Sequence, residues 1–233
     1  MNRQASSPAA SAASPRPVDA ATLILVRGAA SRSPAVLMGR RSTRDAWADL
    51  YIFPGGRVDR TDHRVQTATE LREEVSGQLQ LGCSAARTRA LGVAAIRELS
   101  EETGLILGRE LASRKNALEA FADAGLAPDL GALHLLCRAV TPPQRPKRFN
   151  ARFFIAEDDD VVGDLGGTGE LVDLRWWTLP EARKLDLPKI TQAVLAELQA
   201  LLDRGCGLHT PQQTALFKTV GRTHRKLFES RSS

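Results

Sequence analysis

Three glutamates, Glu98, Glu101 and Glu102, stand at i, i+3 and i+4 within the stretch Arg97-Glu98-Leu99-Ser100-Glu101-Glu102-Thr103-Gly104-Leu105. On a helix that spacing stacks three carboxylates on one face within a turn. Like charges so placed repel, and a hard divalent cation relieves the repulsion. Magnesium and manganese favour such oxygen ligands and keep waters for a substrate phosphate. The same spacing equally serves as a plain solvated acidic face, because like-charge pairs on a helix cost only about a few tenths of a kcal/mol. From spacing alone both readings stand.

The elements around the trio can be read from periodicity. Val93, Ile96 and Leu99 recur at helical spacing, and Gly104 follows as a left-handed cap, so an amphipathic helix ends just past the glutamates. Upstream, Ile52-Phe53 runs into Pro54-Gly55-Gly56, a turn that must expose backbone. Thr22 to Val26 and Ala35 to Met38 read as paired strands, joined later by Leu133 to Cys137, Arg152 to Ala156 and Val172 to Trp177. Thr178-Leu179-Pro180-Glu181 opens one helix with a capping box, and Ile190 to Leu202 carries an apolar stripe that makes another. Strands and helices mixed without a repeat predict an α+β layered fold with a mixed β-sheet between helices.

Residues 97 to 105 resemble the second half of the signature box of the Nudix hydrolases, matching Arg-Glu-aliphatic-x-Glu-Glu-x-Gly-aliphatic at every fixed position. Phe53-Pro54-Gly55-Gly56-Arg57-Val58 resembles the strand and glycine turn that opens the box, with Asp62 six residues after Gly56 where the family has Glu. From Asp62 to Arg97 there are 34 intervening residues where the box has seven, an excursion of 27. An interrupted box of this kind is similar to the coenzyme A diphosphatase branch, as are Leu37-Met38-Gly39-Arg40-Arg41-Ser42 and Thr141-Pro142-Pro143 with Arg148 to Phe154.

The resemblance implies a Nudix-like α/β/α sandwich and metal-dependent hydrolysis of a diphosphate in a nucleotide derivative, NDP-X. Coenzyme A or acyl-coenzyme A is the first expectation, giving 4'-phosphopantetheine (or its acyl form) and 3',5'-ADP. ADP-ribose, a dinucleotide or an NDP-sugar is the second, and a non-catalytic nucleotide-sensing module the third. By the same resemblance Glu98, Glu101 and Glu102 bind Mg2+ or Mn2+, with the Gly55 carbonyl completing a site and Arg97 orienting the carboxylates. Glu170, six positions before Trp176 and just after Gly166-Gly167-Thr168-Gly169, is the candidate general base or extra ligand. Arg40, Arg41, Arg44 and Gly56 are candidates for holding substrate. A second carboxylate run, Glu70, Glu73 and Glu74, repeats the spacing but lacks the preceding Arg, so Val65 to Leu79 reads as a helical insert with a solvated acidic face.

Composition sets the frame. The 233 residues are 42% hydrophobic, 25% charged and 5% aromatic, an ordinary globular mixture that excludes collagen, coiled coil and disorder throughout. The formal charge of +5 sits entirely at the ends, +1 in residues 1 to 20 and +4 in residues 207 to 233. A neutral body lacks the electropositive face that a phosphate backbone needs, which argues against nucleic acid as partner. Three widely spaced cysteines suggest no disulfide framework, and no run of residues is long and apolar enough to span a membrane, so a cytoplasmic protein with a small-molecule substrate is expected. A homodimer stays open. The expected organisation is an Ala/Ser/Pro-rich disordered leader over 1–20, one domain over 21–206 with an insertion at about 63–89, and a basic tail over 207–233.

Overall fold

In the computed structural model, described over residues 14–42, 48–111, 116–221 and 223–230, the chain runs through twelve strands and five α-helices. The first half contains β1 (Val18–Arg27), β2 (Ala35–Arg41), β3 (Tyr51–Ile52), β4 (Gly55–Arg57), α1 (Glu73–Gln80), α2 (Ala85–Thr103) and β5 (Ile106–Glu110). The second contains α3 (Glu119–Asp123), β6 (Leu126–Pro128), β7 (His134–Val140), β8 (Phe149–Glu157), β9 (Val161–Val162), β10 (Leu171–Thr178), α4 (Leu179–Ala182), α5 (Lys189–Leu202), β11 (Gln213–Val220) and β12 (Thr223–Ser230). Strands run in the order β10-β2-β1-β8-β7-β11-β12, with β3 on β2 and β4 on β1; β6-β5-β9 make a smaller sheet. Pairing is mixed, parallel for β1 with β8 and β7 with β11 and antiparallel elsewhere.

The central strand explains the layering. Successive side chains of β1 point to opposite faces, so Leu23 and Leu25 pack with Leu91, Ile96 and Leu99 of α2, while Ile24 and Val26 pack with Val194, Leu195 and Leu198 of α5. A strand covered on both faces must be apolar throughout, which is why Thr22 to Val26 reads as an unbroken hydrophobic run. Trp176 and Trp177 divide in the same way between the two faces. The sandwich of helices about a mixed sheet is therefore the observed architecture.

The expected start of α4 is present, with the Thr178 N–H donating to the Glu181 carboxylate at 3.0 Å. Helix α2 ends at Gly104, which takes φ +77° while its N–H returns to the Ser100 carbonyl.

Three boundaries differ from the sequence expectation. Order starts at or before Val18, because Val18, Asp19 and Ala20 pair with Phe149, Asn150 and Ala151 of β8; positions 1–13 of the expected leader lie outside the described residues. The segment expected as a basic tail forms the β11-β12 hairpin, docked on β7 with Ala215 and Leu216 buried. Its positive charge has a structural place: Arg225 and Lys226 sit on the outermost strand, where charge blunts an open edge. The insert is only partly helical. Glu70 lies before α1, pairing with Arg89 at 3.0 Å, and backbone extended at Arg72 delays the helix, so Glu70, Glu73 and Glu74 share no helical face. No helix among the described residues is long and apolar enough to cross a membrane.

The docked hairpin is testable. Truncating Leu216 to Ala removes a buried side chain and is expected to lower the unfolding free energy by about 2–3 kcal/mol, read from urea denaturation. A loose tail would leave the midpoint where it was.

Candidate active site

Helix α2 positions the carboxylates, and its own start explains the long excursion. It begins at Ala85, so three turns of helix precede Arg97 and their apolar residues, Leu91, Val93, Ala94 and Ile96 among them, are fully buried. That packing fixes the helix against β1, and β4 pairs with β1 through Ala21–Gly56 and Thr22–Gly55. The glycine turn and the glutamates thus meet on one scaffold although an insert separates them in the chain.

The contact is close. The Gly55 N–H donates to Glu102 Oε2 at 2.9 Å. A Cβ on Gly56 would overlap the Glu98 carboxylate, and one on Gly55 would overlap the β1 backbone, so the paired glycines are required by space.

Arg97 lies beneath the trio and is 8% exposed. Its Nε and Nη2 grip Asp62 at 2.9 and 3.2 Å, Nη2 also reaches the Arg57 carbonyl at 3.0 Å, and Nη1 donates to Glu98 at 2.8 Å and Glu101 at 2.9 Å. Asp62 is 0% exposed, so this is a buried, two-pronged guanidinium-carboxylate pair. Burial works against the charge on Arg97, but Asp62, Glu98 and Glu101 outweigh it and push the guanidinium pKa up.

The fourth carboxylate arrives from the edge of the sheet, ahead of β10. The Gly166 N–H donates to Thr103 O at 2.7 Å and the Thr168 N–H to Glu101 O at 2.9 Å, clipping the loop before β10 onto the end of α2. Gly167 takes φ +105°, and a Cβ there would strike the Glu102 carbonyl. Glu170 follows, pairing with Arg41 at 2.9 Å and close enough to raise the pKa values of Glu98 and Glu102. Burial is the main cause of both shifts. It pushes Glu102 up to about 8, with Glu98 and Glu170 adding repulsion against the opposing Gly55 hydrogen bond; Arg97 partly offsets the rise at Glu98.

Of the sequence candidates, the fold brings together Glu98, Glu101, Glu102, Arg97, Gly55, Gly56, Arg41 and Glu170. It does not bring Arg40. Alternation along β2 sends Arg40 to the face opposite Arg41, where it pairs with Asp49 at 2.7 Å. Arg44 lies outside the described residues, as does Trp47. Sequence reasoning placed Asp62 at the box position but missed its role as the buried counter-ion of Arg97; a single carboxylate at that spacing ahead of an Arg was the available signal. The Arg41-Glu170 pair gave no signal, since its members are far apart in the chain.

Among the described residues no three acidic, His or Cys side chains converge as a finished cation cage. Glu98 and Glu101 are instead turned onto Arg97. The donor set nonetheless fits a hard divalent cation: its oxygens are carboxylate, and Glu102 is buried with no ion pair among the described residues, burial raising its pKa more than the nearby Arg41 lowers it.

No protein-family model matches the chain, and no curated protein matches it. Solved structures do. A Nudix hydrolase from Alicyclobacillus acidocaldarius is 27% identical with a TM-score of 0.60, over 84% of this chain and 98% of that one. A MutT Nudix hydrolase from Burkholderia pseudomallei is 18% identical (TM-score 0.47, 78% of this chain and 98% of that one), and an Ap4A hydrolase from C. elegans 17% identical (TM-score 0.43, 80% and 99%). The argument from likeness rests on the first of these alone.

Two measurements probe this arrangement. Asp62→Ala leaves a guanidinium buried without its counter-ion, and a loss of about 3–5 kcal/mol is expected in chemical denaturation. For Glu102, the folded pKa near 8 exceeds the unfolded value of 4.5, so its contribution to stability is full below about pH 4.5 and is lost as pH rises through 8. In chelator, wild type is expected to lose stability between pH 5 and 8 by an amount on the order of a few kcal/mol relative to Glu102→Gln. Parallel pH curves for the two proteins would contradict the shift.

Proposed function

We propose, from the premise that the chain is an enzyme of the Nudix pyrophosphatase type, that it hydrolyses the diphosphate of coenzyme A or an acyl-coenzyme A. The products are 4'-phosphopantetheine, or its acyl form, and 3',5'-ADP. The observation that carries the bond type is the meeting of the Gly55-Gly56 turn with Glu98 and Glu102 across the long excursion. The coenzyme A group rests on the resemblance of the interrupted box and its flanking segments; ADP-ribose, a dinucleotide or an NDP-sugar fits the same geometry equally well.

In this proposal Glu98, Glu101, Glu102 and the Gly55 carbonyl hold Mg2+ or Mn2+. When bound, the ion neutralises phosphate oxygens and lowers the pKa of a water. Arg97 keeps the carboxylates aligned, because one nitrogen serves Glu98 and Glu101 while the other edge is anchored on Asp62. Glu170 takes the proton of the attacking water or adds a ligand, and its pairing with Arg41 holds it in place until the anionic substrate competes for that guanidinium. Gly56, where any side chain would collide with Glu98, lets that carboxylate lie against the turn, and its backbone is the proposed substrate contact. All three cysteines are free thiols, in keeping with a cytoplasmic enzyme.

A panel of coenzyme A, acyl-coenzyme A, ADP-ribose, dinucleotides and NDP-sugars, with products identified by mass spectrometry, tests the reading. Coenzyme A or its acyl form is expected to have the highest kcat/KM. Activity should vanish in chelator and fall at least about a hundredfold in Glu98→Gln and Glu102→Gln. Preference for ADP-ribose would keep the reaction and replace the substrate. Ligand binding with no turnover on any diphosphate would favour a sensor.

A further inference from the structure

A second concavity lies outside the glutamate cluster, a cavity of about 420 Å3 whose walls include Arg16, Asp19, Val58, His63 and Arg87. Val58 stands two residues past Gly56, the glycine that abuts Glu98, and its N–H donates to the Asp19 carbonyl at 3.0 Å. Two extended residues cover about 7 Å, so the cavity lies within a nucleotide's length of the carboxylates.

Its electrostatics are unbalanced toward positive. Asp19 is the one carboxylate in the wall, and both of its oxygens are already used. Oδ2 forms an ion pair with Arg87 Nε at 3.1 Å; Oδ1 accepts from Arg152 Nη1 at 2.7 Å and Asn150 Nδ2 at 2.9 Å. Arg16, on the wall, has no hydrogen bond or ion pair among the described residues. Behind Asp19, Arg152 is 1% exposed, and its Nη2 is buried without a hydrogen-bond partner among the described residues. Three guanidiniums therefore face one carboxylate. Arg16 and Arg87 are solvent-exposed and cost little where they stand, but with the buried Arg152 behind them they leave this wall with more positive charge than Asp19 balances.

We propose that this cavity is an anion subsite that takes a phosphomonoester at the end of the substrate remote from the cleaved bond, with Arg16 and Arg87 as its donors and Arg152 as the fixed charge behind them. Arg contributes a planar fork suited to phosphate oxygens, and the cavity has the size of a small-ligand pocket. The assignment of the ligand as part of the substrate rests on the diphosphatase reading above. In coenzyme A the group concerned is the 3'-phosphate of the nucleotide half, so the subsite would select phosphorylated from unphosphorylated ribose.

The test is calorimetric binding to the full chain with Mg2+, comparing adenosine 3',5'-bisphosphate with adenosine 5'-monophosphate. Wild type is expected to bind the bisphosphate roughly tenfold or more tightly, the scale of a charge-assisted hydrogen bond. Arg87→Ala and, separately, Arg16→Ala should each narrow that ratio to about twofold. A ratio is read, so a general loss of affinity cancels, and Arg16→Ala breaks no contact among the described residues. Equal affinities in wild type, or a gap that survives both substitutions, overturns the proposal. Inorganic phosphate binding in an Arg87-dependent way while the two nucleotides bind alike would mark a free-anion site and overturn the substrate assignment. The outcome separates from the hydrolysis reading: a gap without coenzyme A turnover leaves the subsite standing and removes the coenzyme A substrate, and turnover without a gap does the reverse.

Discussion

The site depends on one buried guanidinium. Arg97 touches Asp62, the Arg57 carbonyl, Glu98 and Glu101, and so joins the insert, the glycine strand and the carboxylate helix in a single hydrogen-bonded group. Removing a guanidinium from water is expensive, and only a close carboxylate with good geometry repays it. Asp62 supplies that carboxylate from full burial, one methylene shorter than the Glu of the Nudix box that this stretch resembles, and still within two-pronged reach. Its position at the mouth of the insert means that the excursion must leave and return without moving Asp62. The Asp59 N–H bond to Asp62 at 2.7 Å and the extended course to α1 serve that end.

The carboxylates above Arg97 are held in two different ways. Glu98 and Glu101 share its outer nitrogen, whereas Glu102 is buried and held by the Gly55 N–H alone among its contacts in the turn. Glu102 is consequently the one whose charge is least compensated, and the loop after β9 brings a further carboxylate, Glu170, toward it. That loop can approach because its glycines lie directly on the end of α2, where its N–H groups take up carbonyls that the helix leaves unpaired. A helix terminus that needed capping and a carboxylate that needed placing are satisfied by the same eight-residue stretch, 163–170.

Much of this was legible in the sequence, for reasons that differ from element to element. The end of α2 was readable because a glycine follows a strict helical stripe. The strands β1 and β2 were readable because burial on both faces demands an apolar run. The start of α2 was not, because Ala85 to Arg89 carry a weak stripe and the box itself begins later. The β11-β12 hairpin was hidden by its basic edge, since charge on an outer strand looks the same in sequence as charge on a tail. Contacts between distant residues, Arg97 with Asp62 or Arg41 with Glu170, need the sheet order, which no local pattern encodes.

The observed contacts also set what a cation at the proposed site would have to displace. Glu98 and Glu101 are satisfied by Arg97 and Glu170 by Arg41, so their charge is already partly neutralised, while the buried Glu102 has the Gly55 N–H and no ion pair among the described residues. An ion held there as proposed would gain most from Glu102 and would compete with Arg97 for Glu98 and Glu101. Arg97 cannot leave, because Asp62 and the Arg57 carbonyl hold its other edge, and its charge cannot be shed. Positive charge therefore stays under the carboxylates whether or not an ion sits above them. That arrangement would weaken the hold of the proposed site on any cation, and it keeps Glu98 and Glu101 within reach of one another.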